Sequence, residues 1–286
     1  MTRAPRTWMI TGTSTGFGRT LAEAALAAGD NVVATARRPE TLDDLVAAAP
    51  DHVLAVGLDV TRSDQIAQAM DAALARFGRL DVLVNNAGFG TVGAVEEIDM
   101  EDLRQVMDTM FFGAVALTQA ALPQLRAQGS GAIVQMSSMG GQVAPPGFGA
   151  YCSAKYALEA MSEALAAEVA PLGIQVLIVE PGAFRTAFGG AGMQRSRTID
   201  AYISTVGPTR AAVDSMDGTQ PGDPVKAAAA VLDALDADDA PLRLALGCDA
   251  VDSIAAALDA RRADLVRWER VSRDTALDDA AAPATA

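Results

Sequence analysis

The sequence predicts an α/β fold, a doubly wound parallel sheet of about seven strands with helices on both faces. Short apolar runs alternate with alanine-rich helical stretches, and such alternation implies parallel strands joined by right-handed crossovers. A glycine-rich turn follows the first apolar run, as in sheets that bind a nucleotide at the first strand–helix connection. Half of the 286 residues are hydrophobic, enough for a large core.

Seven apolar runs bounded by turn residues are predicted as strands. They cover residues 8–11, 31–36, 53–59, 82–85, 131–136, 175–179 and 242–246. The longest predicted helices cover residues 101–128 and 151–170. Residues 1–276 are predicted to form one catalytic domain, and the alanine-rich, acidic residues 277–286 a disordered tail.

Residues from about 184 to 223 interrupt the alternation, because Gly, Ser, Thr and Pro are frequent there. Long irregular segments inside compact domains are usually functional. We therefore expect an irregular substrate loop that is mobile without ligand and becomes ordered over the substrate.

Net charge and composition indicate which classes of partner and which compartment to expect. A formal net charge of −14 argues against nucleic acid and anionic membranes as partners. Cys152 and Cys248 do not make a disulfide framework, residues 1–6 hold no secretory core, and no run approaches the ~20 apolar residues of a membrane helix. His52 is the single histidine, so no metal site is expected. The sequence predicts a soluble, cytoplasmic protein.

The glycine turn has the spacing Gly12-x-x-x-Gly16-x-Gly18 between a strand and an amphipathic helix. Glycines let the backbone turn sharply and approach a ligand, and the N–H groups that open a helix attract phosphate. This context predicts a dinucleotide site.

Tyr151 and Lys155 are four residues apart, so they share one face of a helix. A nearby cation favours the phenolate and so lowers the pKa of a tyrosine toward neutral pH. Ser138 ends the fifth predicted strand, where its hydroxyl could hold a carbonyl oxygen near the phenol. Ser137 is the alternative, but strand alternation would turn one of the two serines away from the cleft. The three side chains predict acid–base chemistry at a carbonyl or alcohol.

Six motifs in order resemble the short-chain dehydrogenase/reductase family over roughly residues 8–186. The motifs are Thr11-Gly12-x-x-x-Gly16-x-Gly18, Asp59-Val60, Asn85-Asn86-Ala87-Gly88, Ser138, Tyr151-x-x-x-Lys155 and Pro181-Gly182-x-x-x-Thr186. The resemblance implies a Rossmann-like sheet and hydride transfer with NAD(P), with Tyr151 as acid and base. Lys155 would lower the pKa of Tyr151 and bind the nicotinamide ribose.

The resemblance also implies a set of cofactor-binding residues besides Tyr151 and Lys155. They are Gly12, Ser14, Thr15, Gly16, Phe17 and Gly18 at the pyrophosphate, Asp59 and Val60 at the adenine, Asn86 and Gly88 at the ribose, and Pro181 and Thr186 at the nicotinamide. Asp59 could instead cap the helix that follows it.

Cofactor choice depends on the end of the second predicted strand, where Ala36 is followed by Arg37 and Arg38. No carboxylate is present there to repel a phosphate, and Arg37 could bind the 2′-phosphate bidentately. The sequence predicts NADP, with NAD less favoured; two solvated arginines are the structural alternative.

Met110 departs from the family pattern, in which an asparagine before Phe111-Phe112-Gly113 holds a water for the proton relay. A methionine cannot replace an amide in that role, and its structural alternative is a helix core residue. If so, either the relay is rerouted or the enzyme is slower.

The leading hypothesis is an NADP-dependent oxidoreductase that interconverts a hydrophobic ketone or aldehyde and an alcohol. The alternatives are a catalytically weak or non-catalytic NADP-binding sensor, which only Met110 supports, and a sugar-nucleotide epimerase or dehydratase, which shares Tyr-x-x-x-Lys. Apolar residues flank the expected cleft, and a hydrophobic pocket and core packing explain them equally well; they are Phe148, Phe184, Phe188 and Met193.

Assembly is predicted from the two long helices, whose alanine-rich faces permit close approach. The family commonly pairs its two long helices, here 101–128 and 151–170, across a two-fold axis, so a homodimer or homotetramer is expected. Trp268, with Leu258 and Leu265 at helical spacing, is expected to dock the C-terminal helix on the domain.

Overall fold

A computed structural model describes residues 4–190 and 192–277. Within them, seven parallel strands form the main sheet in the spatial order β3-β2-β1-β4-β6-β7-β9. Its strands are β1 (Thr7–Thr11), β2 (Asn31–Ala36), β3 (Val53–Gly57), β4 (Val82–Asn85), β6 (Gly131–Met136), β7 (Ile174–Pro181) and β9 (Arg243–Leu246). The predicted doubly wound fold is confirmed, and the bounds of all seven predicted strands agree to within two residues. The predicted tail lies outside the described residues, apart from Leu277.

Nine α-helices surround the sheet in the described part of the chain. They are α1 (Gly16–Ala27), α2 (Asp43–Ala48), α3 (Ser63–Phe77), α4 (Met100–Met107), α5 (Gly113–Gln128), α6 (Gly149–Val169), α7 (Ile203–Met216), α8 (Pro224–Asp236) and α9 (Cys248–Arg273). Two short strands, β5 (Gly90–Val92) and β8 (Met193–Arg195), pair in parallel beside the main sheet.

The core consists of two apolar layers, one on each face of the sheet. Successive side chains of a strand point to opposite faces, so Trp8 and Ile10 of β1 join the layer under α1 and α8. Met9, between them, joins the layer under α3 and α5. Because both faces are covered, the strands are continuously apolar rather than alternating.

The long helix predicted over 101–128 contains a break that the sequence does not reveal. Residues Asp108–Phe112 form a π-helical turn between α4 and α5, a feature that often lies at functional sites. The whole stretch Met100–Gln128 is long and apolar enough to cross a membrane by length and composition alone, contrary to the expectation that no run approaches that size. A core helix passes the same test, and here α5 packs against α3 and the sheet.

The segment 184–223 is not irregular throughout, which corrects the prediction. It contains β8 and the 14-residue helix α7, whose Gly207 and Pro208 hide the helical pattern. Arg210 of α7 forms an ion pair with the buried Glu97 at 2.8 Å. Burial opposes ionisation of Glu97, but hydrogen bonds from the N–H groups of Ile199 and Ala94 and from Arg210 lower its pKa to about 2. The ion pair between Arg210 and Glu97 therefore attaches the segment 184–223 to the rest of the domain.

Candidate active site

The strand order reverses between β1 and β4, where the carboxyl ends of two neighbouring strands diverge into separate connections. Asn86, just after β4, donates through Nδ2 to the carbonyl oxygens of Thr11 (2.7 Å) and Gly12 (3.2 Å). Gly12 has a φ of 69°, and a Cβ there would lie 3.1 Å from the Cα of Ala87. The predicted glycine turn and the Asn-Asn-Ala-Gly segment therefore meet at the sheet edge where doubly wound folds bind ligands.

The glycine turn leaves an open space that would be filled if its glycines carried side chains; this space is here called the glycine cradle. A Cβ on Gly18 would lie 2.4 Å from the oxygen of Gly12 and 2.5 Å from Asn86 Nδ2. Helix α1 begins at Gly16, and Thr15 before it makes no side-chain cap, so its first N–H groups face the turn without a side-chain acceptor. These features fit the diphosphate of a dinucleotide.

The remaining predicted residues of the turn take different positions. Ser14 and Thr15 are exposed on the rim, and Thr186 lies over the turn, with its Cβ 3.5 Å from where a Cβ on Gly16 would be. Phe17 packs its ring on Phe184 at 5.2 Å between centroids. The structure thus brings Thr186 to the cradle and turns Phe17 toward the core.

Arg37 and Arg38 follow β2 directly and are both exposed. Within the described residues, neither guanidinium has a hydrogen bond or ion pair. Arg19 on α1, in contrast, is paired with Glu23 at 2.6 Å and Asp44 at 2.7 Å. Arg37 is therefore free to bind an anion at the end of β2.

Asp59 and Val60 follow β3, which ends at Gly57 rather than at the predicted Asp59. The Asp59 carboxylate accepts from Thr61 N–H at 3.0 Å and from Thr61 Oγ1 at 2.7 Å, which forms a local turn. Helix α3 starts after Arg62, so Asp59 is not its cap. Val60 is buried, and a Cβ on Gly113 would lie 2.9 Å from its Cγ2.

The three predicted catalytic side chains converge. Tyr151 and Lys155 lie one turn apart on α6, with the lysine Nζ 5.8 Å from the centre of the phenol ring, and both are buried. A Cβ added to Gly140 would lie 3.0 Å from Tyr151 Cε1 and 3.3 Å from Ser138 Oγ. Both side chains therefore border the same small space beside Gly140. Ser138 Oγ also lies 3.4 Å from the carbonyl oxygen of Pro181 at the end of β7.

Ser137 points to the other side of its strand. A Cβ on Gly141 would lie 2.6 Å from Ser137 Oγ and 2.9 Å from Glu159 Oε1. The choice of Ser138 over Ser137 follows from this alternation, since only Ser138 approaches the Tyr151 ring.

The expected lowering of the Tyr151 pKa by Lys155 is wrong for this structure. Burial raises the pKa of the phenol above its usual range, and interaction with the Ser138 hydroxyl opposes the rise. Burial also lowers the pKa of Lys155 to about 8, against the attraction of the Glu159 carboxylate. The hydrogen bond of the ammonium goes to the carbonyl oxygen of Met136 at 2.6 Å, and none joins it to the phenol oxygen among the described residues, so it does not offset the burial.

Aromatic side chains line the space beside Tyr151. Phe148 and Phe188 meet the Tyr151 ring edge-on, with centroid distances of 6.2 and 5.6 Å. Met193 packs in the cluster that these two rings also contact. Phe184, expected at the cleft, instead belongs to the core on the α1 face, because its partner is Phe17.

Met110 lies in the π-helical turn and is buried beside Tyr151. Its Sδ is 3.0 Å from where a Cβ on Gly88 would be, so Gly88 makes room for the thioether. Met110, Lys155 and Asn85 line one small cavity. Met110 is therefore a core residue that also borders the lysine.

Asn85 is a buried polar residue of this cavity that sequence reasoning assigned no role. Its Nδ2 donates to Ala114 O at 3.3 Å and to Gln135 Oε1 at 3.0 Å. Because a carbonyl oxygen can only accept, the amide orientation is fixed. Its Oδ1 has no donor among the described residues, which leaves an acceptor for a water or proton carrier.

A buried charge cluster under α6 was also missed. Arg243 Nε lies 3.0 Å from Glu159 and 3.7 Å from Glu180, and Gln142 donates to Glu180 at 3.1 Å. Burial, with the neighbouring Glu159 charge, raises the pKa of Glu180 well above its usual range. No spacing could reveal this cluster, since α6, β7 and β9 meet only in the fold.

Asp249, in the first turn of α9, holds the loop after Pro181. Its Oδ2 accepts from the Ala183 N–H at 2.7 Å, and its carboxylate fills the space where a side chain on Gly182 would be. The two residues are 66 positions apart, so only the fold joins them.

Comparison with known proteins agrees with this geometry. The family model described as short chain dehydrogenase matches residues 6–196. The chain is 42% identical over 266 residues, 93% of its length, to oxidoreductase BOA17 of Botryotinia fuckeliana, covering 97% of that protein. The crystal structure of a short-chain dehydrogenase from Streptomyces avermitilis is 55% identical with a TM-score of 0.92, covering 96% of this chain and all of that one.

Two more distant structures contain different cofactors. A short chain dehydrogenase from Burkholderia cenocepacia, 28% identical with a TM-score of 0.72, is in complex with NADP; the match covers 93% of this chain and 98% of that one. A short chain dehydrogenase/reductase from Burkholderia phymatum, 21% identical with a TM-score of 0.77 and 99% of each chain covered, shares the fold and is in complex with NAD. With the Rossmann-like sheet, the glycine cradle and the matched family model, the chain belongs to the short-chain dehydrogenase family of oxidoreductases.

Proposed function

We propose that the chain is an NADP-dependent reductase of hydrophobic ketones or aldehydes, and catalyses the reverse oxidation of the corresponding alcohols. The observation that carries the proposal is the convergence of Ser138, Tyr151 and Lys155 beside the glycine cradle. Carbonyl-dependent consumption of NADPH tests it.

Ser138 and Tyr151 would share the substrate oxygen. The Ser138 hydroxyl donates a hydrogen bond to the carbonyl oxygen, and the phenol gives its proton to that oxygen as the alcohol forms. A raised pKa keeps the phenol protonated at neutral pH, as carbonyl reduction requires. In the oxidation direction, the phenol oxygen must take a proton, so a nearby cation becomes more important.

Lys155 would bind the nicotinamide ribose and place a positive charge near the phenol oxygen. Its partner in this structure, the Met136 carbonyl, keeps the ammonium at the end of β6. Asn85 lines the same cavity and its Oδ1 has no donor among the described residues; we propose that this oxygen holds a water that passes protons to Lys155, in place of the family asparagine.

The cofactor site would consist of the predicted cofactor-binding residues that lie at the carboxyl edge of the sheet. Gly12, Gly16 and Gly18 would hold the diphosphate, Thr186 the carboxamide, and Arg37 the 2′-phosphate. When bound, NADPH supplies the hydride that reduces the carbonyl carbon. The rings of Phe148 and Phe188 beside Tyr151 favour an apolar substituent on the substrate.

The Arg37→Ala variant should narrow the preference for NADPH over NADH. Loss of a charge-assisted hydrogen bond to the 2′-phosphate costs about 1.5–3 kcal/mol, roughly a tenfold to 150-fold weaker NADPH affinity. NADH affinity is the internal control, because it has no phosphate at that position, and should not change. Titration of both cofactors measures the effect; equal wild-type affinities would contradict the NADP assignment.

The Met110→Asn variant should lower stability without raising turnover. Met110 is 2% exposed, so an amide there is desolvated and costs about 1–3 kcal/mol if it finds no partner. Met161→Asn, at an exposed methionine of α6, is the control and should change stability much less. Thermal melts and turnover are measured together. A variant that is both faster and as stable as wild type would show that the methionine limits a proton relay.

A further inference from the structure

Helix α9 carries an apolar stripe that the described residues do not cover. Val251, Leu258, Leu265 and Trp268, here called the α9 stripe, are 51, 53, 68 and 56% exposed. Their spacing of seven, seven and three residues places them on one face of a helix, as in a two-stranded coiled coil. The expectation that Trp268, Leu258 and Leu265 dock this helix on their own domain is therefore wrong.

Among the described residues, helix α9 is attached to the body as far as Arg261 and not beyond it. Ala250 is buried, and the Arg261 guanidinium donates to the carbonyl oxygen of Gln142 and to the Tyr156 hydroxyl. From Leu258 to Leu277 every residue is exposed. Beyond Arg261, the side-chain ion pairs stay within the helix itself. A helix standing alone in water is marginal, so a cover for its apolar face is expected.

The charges of α9 are segregated along its length. All charged side chains in its first half are acidic. Its second half has five arginines and two acidic side chains. The acids of the first half are Asp249, Asp252 and Asp259, and the arginines of the second are Arg261, Arg262, Arg267, Arg270 and Arg273. The charges of the helix cancel, although the whole chain carries −14. The charges of α9 itself therefore add no net repulsion when two copies of this helix approach each other.

We propose that α9 pairs antiparallel with α9 of a second copy of this chain, with the two α9 stripes buried between them. An antiparallel pair places the acidic half of each helix over the basic half of the other, and a two-fold axis makes both contacts identical. It also sets Val251 against the partner's Trp268, a small side chain against a large one. Along 26 residues the pair would be about 39 Å long.

This surface differs from the one predicted from the family, which pairs the helix 101–128 and α6. The α9 contact does not require the catalytic proposal, because it rests on exposure and charge alone. If both surfaces form, the protein is a tetramer; if only α9 pairs, it is a dimer.

A double variant, Leu258→Glu with Leu265→Glu, tests burial of the stripe. Glutamate is a good helix former, so circular dichroism should show an intact helix while light scattering shows half the wild-type mass. Val225→Glu is the control, because Val225 is a similarly exposed apolar residue of α8, and it should keep the wild-type mass. A monomeric wild type, or a double variant of unchanged mass, would overturn the proposal.

Charge reversal tests the antiparallel arrangement. The variant Asp252→Arg with Asp259→Arg makes both halves basic, and Arg262→Asp with Arg267→Asp makes both halves acidic. Each variant alone should have half the wild-type mass, since like charges then face each other. An equimolar mixture of the two should recover the wild-type mass. Failure of the mixture to recover it, or retention of full mass by either variant alone, would rule out antiparallel pairing of α9 with itself.

Discussion

The Tyr151→Phe variant should lose turnover by about 10²–10⁴-fold or more while it still binds cofactor. The substitution removes the transferable proton and keeps the ring, whose edge contacts with Phe148 and Phe188 hold it in place. Steady-state rates with NADPH and a reducible carbonyl measure the loss, and cofactor titration shows that the site is intact.

Tyr156→Phe is the matched control for this variant. Tyr156 lies on the same helix, but its hydroxyl donates to the Gln142 carbonyl oxygen outside the cleft. Its loss should leave turnover close to wild type. Near-normal turnover of Tyr151→Phe would mean that another group donates the proton.

The Lys155→Ala variant should lose both turnover and cofactor affinity, because one ammonium would serve the ribose and the phenol. Removing a charge-assisted hydrogen bond to the ribose weakens binding by about 1.5–3 kcal/mol. The chain's other lysine, Lys226, is exposed on α8, so Lys226→Ala is the control and should change neither quantity.

The two catalytic variants together separate binding from chemistry. Cofactor affinity is measured by titration and turnover by carbonyl-dependent rates. Loss of turnover with unchanged affinity in Lys155→Ala would remove the proposed contact with the ribose. Loss of affinity in Tyr151→Phe would instead show that the phenol is part of the binding site.

Most of the sheet and the placement of the motifs could be predicted from sequence. In a parallel sheet, the carboxyl ends of all strands lie at one edge, so residues that follow strands are brought together whatever the loop lengths. Gly12 after β1, Asn86 after β4 and Ser138 after β6 lie at the same edge for this reason. Alternation along a strand also predicts that only one of Ser137 and Ser138 faces the cleft, and the family resemblance indicates Ser138.

Other parts depend on tertiary contacts that no local pattern encodes. The Tyr151 pKa was predicted from one neighbour, Lys155, whereas burial dominates it. Phe184 has the same aromatic character as Phe188, and only packing sends it to Phe17 rather than to the cleft. The α9 stripe has the spacing of an amphipathic helix that packs on another surface. A single sequence does not say whether that surface belongs to the same domain or to another molecule.

Met110 distinguishes the two functional hypotheses more than any other residue. It was the one feature that favoured a non-catalytic sensor, and in the structure it is a core residue beside Gly88 and Tyr151. In the proposed function, a water held by the unpartnered Oδ1 of Asn85 supplies protons to Lys155 instead. A sensor would bind NADPH with no carbonyl turnover, and the catalytic proposal requires both.

The central claim is NADPH-dependent reduction of a hydrophobic carbonyl compound. The most direct measurement follows nicotinamide absorbance while wild-type protein and the Tyr151→Phe variant are supplied with NADPH and a panel of aromatic and aliphatic ketones and aldehydes. The wild type should oxidise NADPH only when a carbonyl compound is present and faster for apolar substrates, and the Tyr151→Phe variant should show almost no oxidation. Binding of NADPH without oxidation across the panel, or equal rates in both proteins, would contradict the central claim.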